Sequence, residues 1–141
     1  MTDTTSAPAA QTTAPPSARF GFMKFVVRDL DAMRRFYERA FGLAVSQTID
    51  LPDATELILR RPGEETGFSL ILYGNKDGRE IAVGTGHGPL GLFVRDVDAA
   101  YAHAVSQGAA PEREPWDTEA MRVAFVRDPE GRELELISMR R

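Results

Sequence analysis

The sequence has no cysteine, one tryptophan and two histidines among its 141 residues. The lack of cysteine excludes disulfide bonds, thiolate metal sites and a cysteine nucleophile. No apolar segment approaches the roughly 20 residues that a membrane-spanning helix needs, so we expect no membrane association. Basic residues are also in the minority, with 17 lysines and arginines against 21 acidic residues and a net charge of −4. Since no basic stripe is present to neutralise phosphates, we expect no nucleic-acid partner.

The first 19 residues, MTDTTSAPAAQTTAPPSAR, are mainly threonine, alanine, proline and serine. A segment of this composition cannot bury enough apolar surface to offset the entropy lost on ordering. It has neither the charged start and apolar middle of a secretory signal nor the repeated arginines of a transit peptide. We therefore predict a disordered tail over residues 1–19, a folded domain over residues 20–141 and a cytoplasmic protein.

One motif occurs twice, as FVVRDLDA at residues 25–32 and as LFVRDVDA at residues 92–99, with an offset of 67 residues. In each copy an apolar run consistent with a strand changes to helical spacing. Asp29 and Asp96 stand where a helix N-cap accepts an unpaired backbone N–H group. Gly42 and Gly108 are predicted to end the two helices. Each copy therefore predicts a strand followed by a helix.

Three further strands are predicted after each helix. In the first half they are AVSQTIDL, TELILRR and GFSLILYG. In the second half they are a short edge strand near residues 110–113, then RVAFVRD and RELELIS. Turn-forming residues separate the last two strands of each half. The sequence thus predicts two βαβββ modules, over residues 20–80 and 86–139.

The two modules resemble the vicinal oxygen chelate superfamily, which includes glyoxalase I, bleomycin- and fosfomycin-resistance proteins, extradiol dioxygenases and methylmalonyl-CoA epimerase. The resemblance is carried by VVRDLDAMRRFYERAFGL, FVRDVDAAYAHAVSQGA and FVRDPEGRELELI. It implies an α+β fold in which two βαβββ modules form a half-barrel cup with helices outside. It also implies a homodimer, and leaves open whether one cup is built from one chain or from two.

Strand parity divides the predicted sheets into two faces, because successive side chains point to opposite sides. One face is wholly apolar and is predicted to pack on the helices; it comprises Met23, Phe25, Val27, Leu70, Leu72, Leu90, Leu92, Val94, Leu134 and Leu136. The other face is mixed, and either lines a ligand cavity or faces solvent. We expect it to supply a ligand-binding wall that includes Phe22, Lys24, Ile71, Tyr73, Pro89, Phe93 and Glu135.

Catalytic members of the superfamily bind a divalent metal on the cup face, and the resemblance places the four ligand positions at Phe22, Ile71, Pro89 and Glu135. Only Glu135 carries a donor atom, whereas zinc needs three or four ligands. We therefore predict no metal cofactor. The alternative is a divalent ion held by Glu135 and by His87, which shares the parity of Pro89.

Two cup residues have more than one interpretation. Glu135 could act as a general base or anchor a polar ligand, or it could simply pair with Lys24. Trp116 is predicted in a loop at the mouth of the cup, where it could stack on a flat ligand. It could equally pack against other aromatic side chains or at a subunit interface.

The leading hypothesis is a metal-free homodimer that binds a small organic molecule, for example a sequestered aromatic metabolite or antibiotic. The alternative is an enzyme of the glyoxalase, epimerase or dioxygenase type. Such an enzyme would depend on a metal or use Glu135 as a catalytic base. The sequence does not decide whether a reaction is catalysed.

Overall fold

The computed structural model describes residues 14–64 and 66–140, and ten helices and strands lie within them. The first module comprises β1 (Phe22–Val27), α1 (Leu30–Phe41), β2 (Ala44–Asp50), β3 (Ala54–Arg60) and β4 (Ser69–Asn75). The second comprises β5 (Leu90–Phe93), α2 (Val97–Ser106), β6 (Ala110–Asp117), β7 (Met121–Arg127) and β8 (Glu133–Met139). Neither helix in this part of the chain is long and apolar enough to cross a membrane. Residues 1–13 of the predicted tail lie outside the described residues.

Each module forms a four-stranded sheet with the same connectivity. The strand orders are β1-β4-β3-β2 and β5-β8-β7-β6. The first and last strands of each module pair in parallel, and the other pairs are antiparallel. This arrangement confirms the predicted α+β fold of two βαβββ modules.

The repeated aspartates cap both helices as predicted. The Asp29 side chain accepts a hydrogen bond from the Ala32 N–H at 3.0 Å, and Asp96 accepts one from the Ala99 N–H at 3.0 Å. Gly42 ends α1 in the left-handed conformation, with φ of 68°. In α2 the cap is Gln107, one residue before the predicted Gly108.

The strand β6 differs from its prediction. It continues to Asp117 instead of ending near residue 113, so Trp116 lies in a strand and not in a loop. Its pairing with β7 is irregular on both sides of Arg113. Pro111 and Pro115 made the segment resemble a loop, but β6 is the edge strand of its sheet, where prolines are tolerated.

The helix-facing sides of both sheets contribute to one hydrophobic core. Met33, Phe36 and Tyr37 of α1 pack in a cluster that includes Leu72 of the first sheet and Leu134 of the second. The apolar parity set is buried as predicted at Phe25, Val27, Leu70, Leu72, Leu134 and Leu136. Leu90, Leu92 and Val94 are partly buried, and Met23 is exposed, at 41%, at the free edge of the first sheet.

A buried polar network holds the turn between β7 and β8, residues 128–132, against α1. The Tyr37 hydroxyl donates to Asp128 Oδ2 at 2.7 Å. Asp128 Oδ1 accepts from the backbone N–H groups of Glu130 and Arg132, both at 2.9 Å. Burial and the neighbouring carboxylate of Asp128 raise the pKa of Tyr37 well above its usual value.

The same turn also forms hydrogen bonds with the end of β1. The Glu130 carboxylate accepts from the backbone N–H groups of Arg28 and Asp29, at 2.8 and 2.9 Å. The Arg132 guanidinium donates to the Val26 carbonyl and lies 5.2 Å from the Phe25 ring centroid. The turn of the second module therefore ties it to the first strand of the first module.

Candidate functional site

The exposed face of the first sheet forms an open cleft of about 550 Å³. This volume is within the range of small-molecule sites. Strands β1, β3 and β4 supply most of its wall, so the side chains stand on rigid elements. The lining residues are Arg19, Gly21, Phe22, Lys24, Ile49, Glu56, Ile58, Arg60, Thr66, Gly67, Ser69 and Ile71.

An ion pair lies on the floor of this cleft. Lys24 Nζ is 2.9 Å from Glu56 Oε2, and only 10% of the glutamate side chain is exposed. The ammonium group also lies 5.8 Å from the Phe22 ring centroid and 5.5 Å from that of Tyr73. The partner of Lys24 is thus Glu56, and the alternative in which Glu135 pairs with Lys24 does not occur in this structure.

The strand register explains how these groups meet. Lys24 of β1 stands opposite Ile71 of β4, and Ile71 in turn stands opposite Ile58 of β3. Glu56 is two residues before Ile58 and shares its face, so its carboxylate reaches Lys24 across the central strand. Ile71 is 5% exposed and forms an apolar base beneath the pair.

Positive charge predominates along the cleft. Among the residues that the structure describes, Arg19, Lys24 and Arg60 line it together with one acid, Glu56. Arg60 is held near the rim because its guanidinium donates to the Gly67 carbonyl at 3.0 Å. The cleft is therefore a local cationic site on a chain whose net charge is −4.

Glu135 lies on the corresponding face of the second sheet. It stands between Gly91 of β5 and Phe125 of β7 in the strand register. The side chain is partly buried, and no residue in the described part of the chain forms a hydrogen bond or an ion pair with its carboxylate. A side chain at Gly91 would meet no atom within 4 Å, so space is open beside this carboxylate.

Trp116 packs within the second module. Its ring stacks on Phe125, with centroids 5.9 Å apart and planes inclined by 22°. The Arg113 guanidinium lies 3.4 Å from the Trp116 ring centroid on the same strand. Phe93 lies on β5, the opposite edge strand of this sheet, and is 80% exposed. Of the alternatives for Trp116, the structure thus shows packing among aromatic side chains.

The four superfamily ligand positions do not line a single cleft. Phe22 and Ile71 line the cleft of the first module, whereas Pro89 lines a separate groove with Met23 and Phe68. Glu135 is not part of either lining. Of the four residues mapped to ligand positions from the sequence, only Phe22 and Ile71 line the same cleft within one chain.

The side chains at these positions do not fit a metal ion. Phe22, Ile71 and Pro89 offer no donor atom, and no group of three histidine or acidic side chains occurs within residues 14–64 and 66–140. His87 shares the groove of Pro89, is exposed, and has Nδ1 2.9 Å from the Gly88 carbonyl oxygen. It remains a solvated loop residue, as the glycine-rich sequence around it suggested.

Comparison with known proteins identifies the family. The family model described as the glyoxalase/bleomycin resistance protein/dioxygenase superfamily matches residues 19–136. This chain belongs to that superfamily. The superfamily assignment agrees with the paired βαβββ modules, and with the motifs that indicated it in the sequence.

The most similar relatives include enzymes of the glyoxalase I type. Lactoylglutathione lyase GLX1 of Arabidopsis thaliana is 29% identical over 123 residues, which cover 84% of this chain and 44% of that protein. Glyoxalase I of Zea mays is 29% identical with a TM-score of 0.77, covering 84% of this chain and 44% of that one. The trypanothione-dependent glyoxalase I of Leishmania major is 27% identical with a TM-score of 0.76, covering 86% and 87%.

The chain spans less than half the length of the plant relatives it matches. The names of these relatives favour the enzyme alternative over a resistance-type binding protein. The residues at the metal positions disfavour the metal-dependent form of that alternative, because three of them are hydrocarbon side chains.

Proposed function

We propose that this superfamily member binds a small organic molecule on its cup face without a metal at the four superfamily positions. One observation carries the proposal: a cleft of about 550 Å³ is present, yet Phe22 and Ile71 stand in it where ligands would be required. An apolar floor with a few fixed polar groups is what small-molecule recognition needs. Phe22, Lys24, Ile71 and Tyr73 form the proposed wall in the first module.

The second module is proposed to complete the site in a homodimer. Its cup face carries Trp116, Glu135 and the strongly exposed Phe93, at 80%, and Met139, at 60%. Exposed apolar side chains of this size are typical of interaction surfaces. Pro89 and Phe93 at the sheet edge would then approach the ligand from the partner. Sequestration of an aromatic metabolite or antibiotic is the most concrete version of this function.

Elemental analysis of the purified protein tests the metal-free part of the proposal. We expect zinc, nickel, manganese and iron well below one equivalent per chain, both as purified and after incubation with each ion. The Glu135→Ala variant serves as the control and should give the same values. A stoichiometric metal that is retained by the native chain and lost in Glu135→Ala would disprove the proposal.

Ligand binding is tested by isothermal titration calorimetry against a panel of small aromatic compounds. Intrinsic fluorescence adds a site-specific signal, because Trp116 is the only tryptophan in the chain. We expect saturable heats, and a change in Trp116 emission if the second module contributes to the site. Absence of heat across the whole panel would contradict the binding function.

A second candidate function is a glyoxalase-like reaction, favoured by the names of the relatives. In a metal-free form, Glu135 would be the catalytic base, with space beside it at Gly91. An assay of lactoylglutathione lyase activity on the native chain and on Glu135→Gln distinguishes the two functions. Turnover that is lost in Glu135→Gln would favour the enzyme.

A further inference from the structure

We infer that Lys24, held in place by Glu56, is the fixed cation that receives the carboxylate of a small organic acid in the first-module cleft. The inference rests on the proposed binding function and adds the chemical class of the ligand. The body of the acid would be flat and apolar, because Phe22 and Tyr73 flank the ammonium group at 5.8 and 5.5 Å.

The position of Lys24 is more tightly defined than that of an ordinary surface lysine. Its stem stands on β1 opposite Ile71, and its Nζ is drawn 2.9 Å from Glu56 Oε2. The lysine side chain is 39% exposed, so one side of it faces the open cleft. An ammonium group has three donors, and among the described residues Nζ makes one hydrogen bond, to Glu56. The remaining donors are available to a ligand oxygen.

Structural stability gives little reason for this pair. Placing an acid at 8% exposure requires its partial desolvation, and a nearby positive charge recovers only part of that cost. Apolar residues of similar volume often stabilise such a position as well as an ion pair does. The Lys24–Glu56 pair on this apolar floor is therefore better explained by a ligand that binds to the Lys24 ammonium group.

The surrounding charges select the class of ligand. Arg19 and Arg60 add two cations to the described lining of the cleft, and within that lining Glu56 compensates only part of the positive charge. Carboxylate oxygens form short, charge-assisted hydrogen bonds with ammonium groups. A neutral amide keeps the flat apolar contacts, but its carbonyl oxygen carries no charge and forms a weaker hydrogen bond with the ammonium group. The cleft should therefore discriminate an organic acid from its amide.

Matched pairs of ligands and of lysine variants test the inference. The probes are phenylacetate and phenylacetamide, and indole-3-acetate and indole-3-acetamide, titrated by calorimetry. Lys24 and Lys76 are the only lysines in the sequence, and Lys76 is similarly exposed, at 43%, and ion-paired to Asp50 at 2.8 Å. Lys76→Met is thus a control for Lys24→Met, and Lys24→Arg preserves the charge. Urea unfolding of each variant verifies that it is folded.

We expect the native chain to bind the acids at least about tenfold more tightly than the amides. Lys24→Met should remove most of that preference and weaken binding of the acids about ten- to hundredfold, although Arg19 and Arg60 remain in the cleft. Lys76→Met and Lys24→Arg should retain it. With lysine labelled at ¹³Cε, the Lys24 signal should shift on adding phenylacetate and the Lys76 signal should not.

Two different failures can be told apart. If acids and amides bind the native chain equally, and Lys24→Met binds them as the native chain does, the inference is wrong but small-molecule binding stands. If no compound of either pair, and none of the wider aromatic panel, binds the native chain at millimolar concentration, the inference and the proposed function both fail.

Discussion

The two modules share a backbone plan but carry different chemistry on their cup faces. In the first module, Lys24 and Glu56 form an ion pair across β4. The strand registers place Gly91 and Val123 at the corresponding positions of the second module. One half therefore has a charge pair where the other has no side chain and a buried valine. The two modules share the aspartate N-caps and the strand order, while the side chains on their cup faces differ.

The turn before the last strand also differs between the modules, and here the second module carries the buried charged groups. In the second module, Asp128, Glu130 and Arg132 are largely buried and bond to α1 and to the end of β1. The described residues of the turn between β3 and β4 are exposed. The comparison suggests a division of roles, with ligand chemistry on the first module and structural anchoring supplied by the second.

The largest expected effect comes from removing the anchor. Asp128→Ala would leave the Tyr37 hydroxyl and two backbone N–H groups without their acceptor, and would remove one of the two acids that face the buried Arg132, at 3.5 Å. Breaking a buried charged network typically costs about 3–5 kcal/mol. The free energy of unfolding in urea measures this loss.

The control for this prediction lies in the corresponding turn of the first module. Glu64 is exposed and its contact with Arg61 is long, at 3.5 Å. Glu64→Ala should change the free energy of unfolding by no more than about 0.5 kcal/mol. Equal losses in the two variants would refute the division of roles.

A smaller effect is expected from Tyr37→Phe, which removes one hydrogen bond to a carboxylate. Such bonds contribute about 1.5–3 kcal/mol, and urea unfolding at neutral pH should show a loss in that range. The counterpart of Tyr37 in the second helix is Ala104, so no equivalent bond exists there. A negligible loss would show that Asp128 is held adequately by its backbone partners alone.

Tyr37 also predicts a pH dependence. Its pKa is raised in the folded state, so its neutral form is favoured there. The unfolded chain releases the proton first, near the usual tyrosine value of about 10. The contribution of Tyr37 is therefore fully present below that pH and is lost as the pH rises above it. The difference in unfolding free energy between the native chain and Tyr37→Phe should shrink above pH 10, and a constant difference would contradict this.

The smallest effect concerns the first turns of the two helices. Asp98 at the start of α2 accepts from Arg122 of β7 at 2.7 and 2.9 Å, and this lowers the pKa of Asp98. Its counterpart Asp31 pairs with arginines of its own helix. Arg122→Gln should raise the pKa of Asp98 toward its usual value, as measured by carboxylate NMR titration. The carboxyl NMR signal of Asp31 should be unchanged in that variant, because the arginines it pairs with lie on its own helix.

Much of the fold followed from local sequence signals. The duplicated motif predicted the two modules because a capped helix after an apolar strand depends on neighbours in the chain. The helix-facing parity was also correct at most positions, since the core selects apolar side chains. The prediction that Met23 is buried was wrong, because parity alone does not show that β1 is an edge strand with an open groove beside it.

The candidate site was less accessible from the sequence. Glu56 was missed because it precedes a nearly continuous apolar run, LIL, and its partner Lys24 is 32 residues away. Arg60 and Arg113 were also missed. Arg60 is positioned by its hydrogen bond to the Gly67 carbonyl and Arg113 by stacking on Trp116, and neither contact is visible in a local sequence pattern. Trp116 was placed in a loop because Pro115 directly precedes it, and the predicted edge strand was therefore ended near residue 113 instead of at Asp117.

The hydrogen bond that Arg132 donates to the Val26 carbonyl has a consequence for assembly. An edge strand offers unpaired backbone groups to any extended segment it meets, and proteins protect such edges to avoid uncontrolled association. Here side chains from the second module occupy backbone groups at the far end of β1, including the N–H of Arg28. Another chain cannot extend the first sheet by pairing along that stretch of β1 without first displacing a guanidinium and a carboxylate.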